Sequence, residues 1–133
     1  MRSHGKYGAV AVRAAKMASE GVDPRDAWEA ASSEVFAKGS PAQLKGCPRS
    51  AFLGLAGAGS IRGVPPGSYT RSALNVRYAL EAADFLSRNP AFTGASVEVW
   101  ERGVTRRPNV HNGQCDVVLA LWSARCLAPQ VSQ

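Results

Sequence analysis

Proline stands where helices begin or stop in this chain, and that spacing limits what the chain can build. Asp23-Pro24, Ser40-Pro41 and Cys47-Pro48 each put proline at a candidate helix start, Pro65-Pro66-Gly67 forces a turn, and Asn89-Pro90 stops a helix. Proline suits the first helical turn, where its missing N–H would have no partner anyway, and it breaks a helix further in. Between these marks apolar residues recur at three- and four-residue intervals, which predicts a succession of short helices. At 133 residues the chain is the size of one domain. The expectation is a single domain over 1–133, with an ordered core over about 6–127 and a polar, frayed tail over 128–133.

The elements can be placed from their caps and stripes. Tyr7, Val10, Ala14 and Met17 mark a helix from about Tyr7 to Ser19, with Gly21 beyond its end. Asp23 caps the next, whose stripe is Trp28, Ala31 and Val35 and which Gly39 stops. Ser40 and Gln43 form a capping box for a short helix, Pro41–Lys45, which ends at a Gly46 turn. Pro48–Ala56 follows, carrying Phe52, Leu53 and Leu55. Gly54 inside it weakens the helix by ~1 kcal/mol relative to alanine, which implies a close neighbouring backbone. Ile61–Val64 is expected to be extended. Thr70 then caps a helix from about Arg71 to Ser87 with Leu74, Tyr78, Ala82 and Phe85 on its buried face. Val97–Glu101 is ambiguous: Val97, Val99 and Trp100 favour strand, but five residues decide nothing. Asn112 caps a last, strongly apolar helix, Gly113–Cys126, with Val117, Val118, Leu121 and Trp122 placed centrally. The fold class is therefore mostly α: a single small helical domain with a helix-turn-helix-like middle and one short extended segment.

Charge is unevenly spread. The net charge is +6, yet no acidic residue lies between Glu34 and Glu81, a stretch that holds Lys38, Lys45, Arg49, Arg62, Arg71 and Arg77. A second acid-free stretch after Glu101 adds Arg102, Arg106 and Arg107. Such asymmetry suits a basic face meeting phosphate or an acidic protein surface. If the middle is a helix-turn-helix, its second helix would enter the major groove. Arg49 and Ser50 would then lie at base edges, with Lys45, Arg62 and Arg71 on phosphates. Against this, Phe52, Leu53 and Leu55 have the character of core, and Ala56–Gly59 offers no base contacts. The candidate binding residues are Lys45, Arg49, Arg62, Arg71, Arg77, Arg106 and Arg107. The partner is DNA or RNA, or alternatively an acidic protein.

Catalytic signals are thin, and the sequence favours a binding protein over an enzyme. Cys47 heads a helix between Lys45 and Arg49, a setting that favours thiolate, and His111 is the available base. The string around Cys47 lacks a phosphatase loop, because the sixth residue beyond it is Leu53 where arginine is required. His111 and Cys115 stand four apart, but two ligands do not close a tetrahedral site, so no metal is expected. No cofactor is expected either, since Gly57-x-Gly59 lacks a third glycine and follows a helix. The pairs Glu81/Asp84 and Glu98/Glu101 are expected on solvated faces, and Trp28, Trp100 and Trp122 in the core. Three cysteines without a CxxC pair, no signal peptide and no apolar run of ~20 residues point to a reduced cytoplasmic protein away from membranes.

Several strings together resemble a known group of sequences: Lys6-Tyr7-Gly8, Gly46-Cys47-Pro48-Arg49-Ser50-Ala51-Phe52-Leu53-Gly54-Leu55, Gly63-Val64-Pro65, Tyr69-Thr70, Tyr78-Ala79, and Asp116-Val117-Val118-Leu119-Ala120-Leu121-Trp122. Over about residues 6 to 122 the chain is similar to a family of small uncharacterised bacterial proteins, a domain of unknown function. The resemblance implies a bacterial or phage cytoplasmic origin and a structural role for Gly46–Leu55. It implies no activity, cofactor or catalytic residue.

Overall fold

A computed structural model describes residues 5–129, and among these the chain forms seven helices and no strand. They are α1 (Gly5–Ser19), α2 (Pro24–Val35), α3 (Pro41–Leu44), α4 (Gly46–Gly57), α5 (Ala73–Arg88), α6 (Ser96–Gly103) and α7 (Gln114–Ser123). None of the described helices is long and apolar enough to cross a membrane.

Two helices form the centre. In α4, eight of twelve residues are buried, and α7 is buried from Gln114 through Leu121 apart from half-buried Asp116. Around them pack α1, α2, α5 and α6, with α1 lying against both α2 and α7. The face α1 turns inward is built of small side chains (Gly8, Val10, Ala11, Ala14, Ala15, Ala18), which lets neighbouring helices approach closely. The Gly54 expectation holds. A Cβ there would stand 2.7 Å from Val76 Cγ2 and 3.0 Å from Val76 Cα, so glycine sets the spacing of α4 and α5. Aromatic rings lock the rest: Trp28 tilts against Phe52 at 5.4 Å, and Tyr78 meets Trp100 edge-on at 5.1 Å. Trp100 also donates its indole N–H to the Pro108 carbonyl at 2.9 Å.

The local stop and start signals act much as the sequence implies. Asp23 caps α2 by accepting from the Arg25 N–H at 2.9 Å, with Pro24 in the first turn. Ser40 Oγ accepts from the Gln43 N–H at 3.3 Å, but the Gln43 side chain reaches back to the Gly39 N–H at 2.7 Å, one residue earlier than in a capping box.

Other expectations need correction. Helix α2 ends at Val35, before Gly39, and leaves Val35 38% exposed. Leu74 is 60% exposed, because α5 begins at Ala73 and turns Tyr78, Ala79, Ala82, Ala83 and Leu86 inward. Thr70 does not cap that helix; its hydroxyl accepts from Ser72 N–H and donates to Ser50. The ambiguous 97–101 segment is helical, with Val99 and Trp100 buried. At α7 the N-cap position is Gly113, at φ +91, not Asn112, and Trp122 is only half-buried. The extended segment Ile61–Val64 reduces to one backbone bridge, Ile61 to Leu127. Flanking bonds continue it: Arg62 N–H to Cys126 C=O at 2.8 Å, and Ala128 N–H to Ser60 C=O at 2.7 Å. Ala128 is thus tied down, and 130–133 of the expected tail lie outside the described residues.

The middle has the order of a helix-turn-helix without its working surface. Helix α3 is a single turn, and only Lys45 separates it from α4. Phe52, Leu53, Leu55 and Ala56 are all completely buried, so α4 is a core helix and has no face to lay in a groove.

Candidate binding cleft

The head of α4 meets α2 and α3 around a cleft of about 510 Å³. Helix α2 lines one wall with Arg25, Asp26, Trp28, Glu29 and Ser32. The segment before α3 supplies Lys38 and Gly39, α3 supplies Gln43 and Leu44, and α4 supplies Gly46 and Arg49.

The polar floor is fixed from within. Gln43 is 7% exposed and Ser32 is 1% exposed. The Gln43 amide donates to both Ser32 Oγ and Ser33 Oγ at 3.2 Å while its carbonyl accepts from Gly39. One side chain thereby holds α2, the 36–40 segment and α3 together. Beside it Trp28, 2% exposed, buries an indole N–H that has no hydrogen-bond partner among the described residues. Leaving such a donor unsatisfied costs about 1–3 kcal/mol.

The rim carries unpaired cations. Arg25 is held by Asp23, through two contacts of 3.2 Å, and that hydrogen bond holds the Asp23 carboxyl below its ordinary value. Lys38 and Arg49 make no ion pair among the described residues. The α4 N-terminus opens at Gly46 with no side-chain cap, because Lys45 is the N-cap residue and its ammonium lies over the Tyr7 ring at 5.8 Å. Uncapped N–H groups and the positive end of the helix dipole favour an anion there.

The cations singled out in the sequence do not gather on one face. Arg49 lines this cleft. Arg71 and Arg77 line a groove along α5, and Arg77 is committed, donating to Glu81 at 2.7 Å and to the Thr105 and Arg106 carbonyls at 2.8 Å. Glu81 is part of the same clamp. Burial alone would raise its carboxyl, but the Thr105 N–H and hydroxyl and Arg77 hold it below the ordinary carboxylate value. Glu81 stays partly exposed on the outer side of α5, but it is committed to this clamp rather than simply solvated. Arg106 stands beside this clamp with φ +45. Arg107 donates to the Glu101 carbonyl at 3.2 Å and lies 5.9 Å from the Trp100 ring. Arg62 lies apart, with Arg125, in a depression of about 240 Å³ near Leu127.

The catalytic candidates stay separate. Cys47 is half-buried and makes no hydrogen bond to His111 among the described residues, although Gly113 brings the 111–113 turn against Pro48. His111 precedes α7 by three residues, so it shares no helical face with Cys115. Cys115 is fully buried, and burial pushes its thiol up to about 12. No group of three or more His, Cys, Asp or Glu among the described residues is placed to hold a metal.

Trp28, Ser32, Gln43 and Lys38 escaped the sequence reading as site residues. Gln43 was visible only as a cap and Trp28 only as core. Their convergence with Arg49 is a product of tertiary packing. Over residues 4–128 the sequence matches a family of unknown function (DUF6979), and the chain belongs to it. No curated protein matches the chain, and no solved structure does.

Proposed function

We propose that this member of the family is a binding protein whose ligand is a compact anion seated in the cleft at the head of α4. The observation that carries the reading is the cleft at the head of α4, where Arg49, without an ion pair among the described residues, meets an uncapped helix start beside Trp28. The lining also limits the ligand. Arg25, Lys38 and Arg49 face Asp26 and Glu29, so a strongly charged polymer is repelled by the α2 wall. A small molecule with one or two negative charges and its own hydrogen-bond donors satisfies both walls. The dispersal of the remaining arginines argues in the same direction, since a nucleic-acid backbone needs phosphate contacts in register. The setting suited to three unpaired thiols is a reducing one, such as the bacterial cytoplasm.

The test is a titration of isotope-labelled protein with inorganic phosphate, short carboxylates, amino carboxylates, and short DNA and RNA. The Trp28 indole resonance is identified by Trp28→Phe. A saturable shift of that resonance by a small anion, lost in Arg49→Glu, supports the reading. Salt-dependent binding of nucleic acid that leaves Trp28 unmoved would overturn it in favour of a distributed basic surface. An acidic protein captured through Arg71 and Arg106 would overturn it likewise.

A further inference from the structure

The exposed face of α5 is arranged in a sequence of charges that fits itself, and we propose that two copies of this chain pair there, antiparallel, about a two-fold axis. A groove of about 600 Å³ runs along this face, remote from the α4 cleft. Arg71 lines one end, two residues before α5 begins; Val76, Arg77, Leu80 and Glu81 line the middle, and Asp84 the other end. Arg77, Leu80 and Asp84 recur at helical intervals on the side of α5 opposite Tyr78, Ala79, Ala82 and Leu86, while Val76 sits at the flank against Gly54 of α4. Leu74, 60% exposed, flanks the same face.

An antiparallel copy crossing midway along the groove sets each Arg71 against the partner's Asp84 and gathers Leu80 of both copies around the axis. This is the self-complementary patch that a two-fold interface requires. A copy in parallel would oppose Arg71 to Arg71 and Asp84 to Asp84. Arg71 makes no ion pair among the described residues, and the Asp84–Arg88 pair is an exposed i,i+4 contact of 3.1 Å that leaves Asp84 able to accept another cation. Arg77, near the axis, brings no free charge, because Glu81 and the 105–106 carbonyls already hold it. A contact confined to one helix face falls below the ~1,200 Å² at which standard interfaces begin, so the dimer is weak and concentration-dependent.

Sedimentation velocity from about 10 µM to about 1 mM, the range proper to so small an interface, tests this. The wild type is expected to shift from monomer to dimer across that range. Arg71→Glu and Asp84→Arg are each expected to weaken association at least about tenfold, a loss of ~1.4 kcal/mol. The double variant is expected to regain it. Both sites are solvent-exposed or half-exposed, and unchanged melting temperatures confirm that the variants are folded. A chain that stays monomeric throughout, a dimer indifferent to both single variants, or a double variant no better than the singles overturns the proposal. Arg49→Glu leaves this association intact, so its outcome is independent of ligand binding in the cleft.

Discussion

Arg49 and Arg77 are alike in sequence, both arginines in the acid-free stretch between Glu34 and Glu81, and opposite in structure. Arg77 has both terminal nitrogens of its guanidinium engaged: by Glu81 on its own helix, and by the Thr105 and Arg106 carbonyls from the loop after α6. Its work is to fasten that loop onto α5. Arg49 faces a cleft, with no carboxylate among the described residues near enough to pair. One region commits its cation to holding the fold and the other keeps it available. Counting charges along the chain treats the two as equivalent, which is why a basic composition overstates the binding surface.

The contrast can be attacked first where the two regions join. Gly54 sets the distance between α4, which carries Arg49, and α5, which carries Arg77. Gly54→Ala puts a methyl group 2.7 Å from Val76 Cγ2 and 3.0 Å from its Cα. Overpacking against backbone is expected to destabilise the protein by about 1–3 kcal/mol, read as a lower urea midpoint. Little change would mean that the helices part without loss and that the two regions are not rigidly coupled.

Glu81→Gln is the next largest. It removes the charge that binds Arg77 and two groups of Thr105, and about 1–2 kcal/mol should be lost at neutral pH. The pH dependence follows from the lowered Glu81 value. Its contribution is complete above the unfolded-state value of about 4.3 and disappears as pH falls through the folded value. The wild type should therefore lose stability more steeply than Glu81→Gln in acid below about pH 4.5. Superimposable acid limbs would show that the clamp does not depend on charge. Arg49→Ala is the smallest of the three. Stability should stay within about 0.5 kcal/mol of wild type, as for surface changes that break no contact, while anion binding is lost. A larger loss would place Arg49 with Arg77 among the cations that hold the fold.

What was legible in the sequence was mostly local. The Asp23 and Ser40 caps act across two or three residues, so their own neighbourhood specifies them. The inward face of α1 follows from periodicity and the central place of α7 from its apolar composition, and Gly54 announced a close approach without naming Val76. The clamp was not legible, because Glu81 and Thr105 are 24 positions apart. Nor was the cleft, in which Trp28, Gln43 and Arg49 come from three helices. Leu74 misled because it fits the stripe of α5 by spacing, whereas the face α5 actually buries is set by α4, α6 and α7 packing around it. Val97–Glu101 was undecided because five residues sample too little of either period; as a helix it needs only Val99 and Trp100 inside.

The placement of α1 against α7 bears on how the chain is made. Synthesis proceeds from the N-terminus, so of these helices α1 leaves the ribosome before the others and α7 after them. Until α7 has emerged, α1 can rest on α2 and on the Ala42 carbonyl and Lys45 side chain that meet Tyr7, but Val10, Ala11 and their neighbours cannot be fully covered. The bridge from Ile61 to Leu127 waits longer still. Closure of this core thus waits for α7, and a nascent chain stalled before α7 would present an unfinished apolar surface to whatever chaperone or protease meets it first.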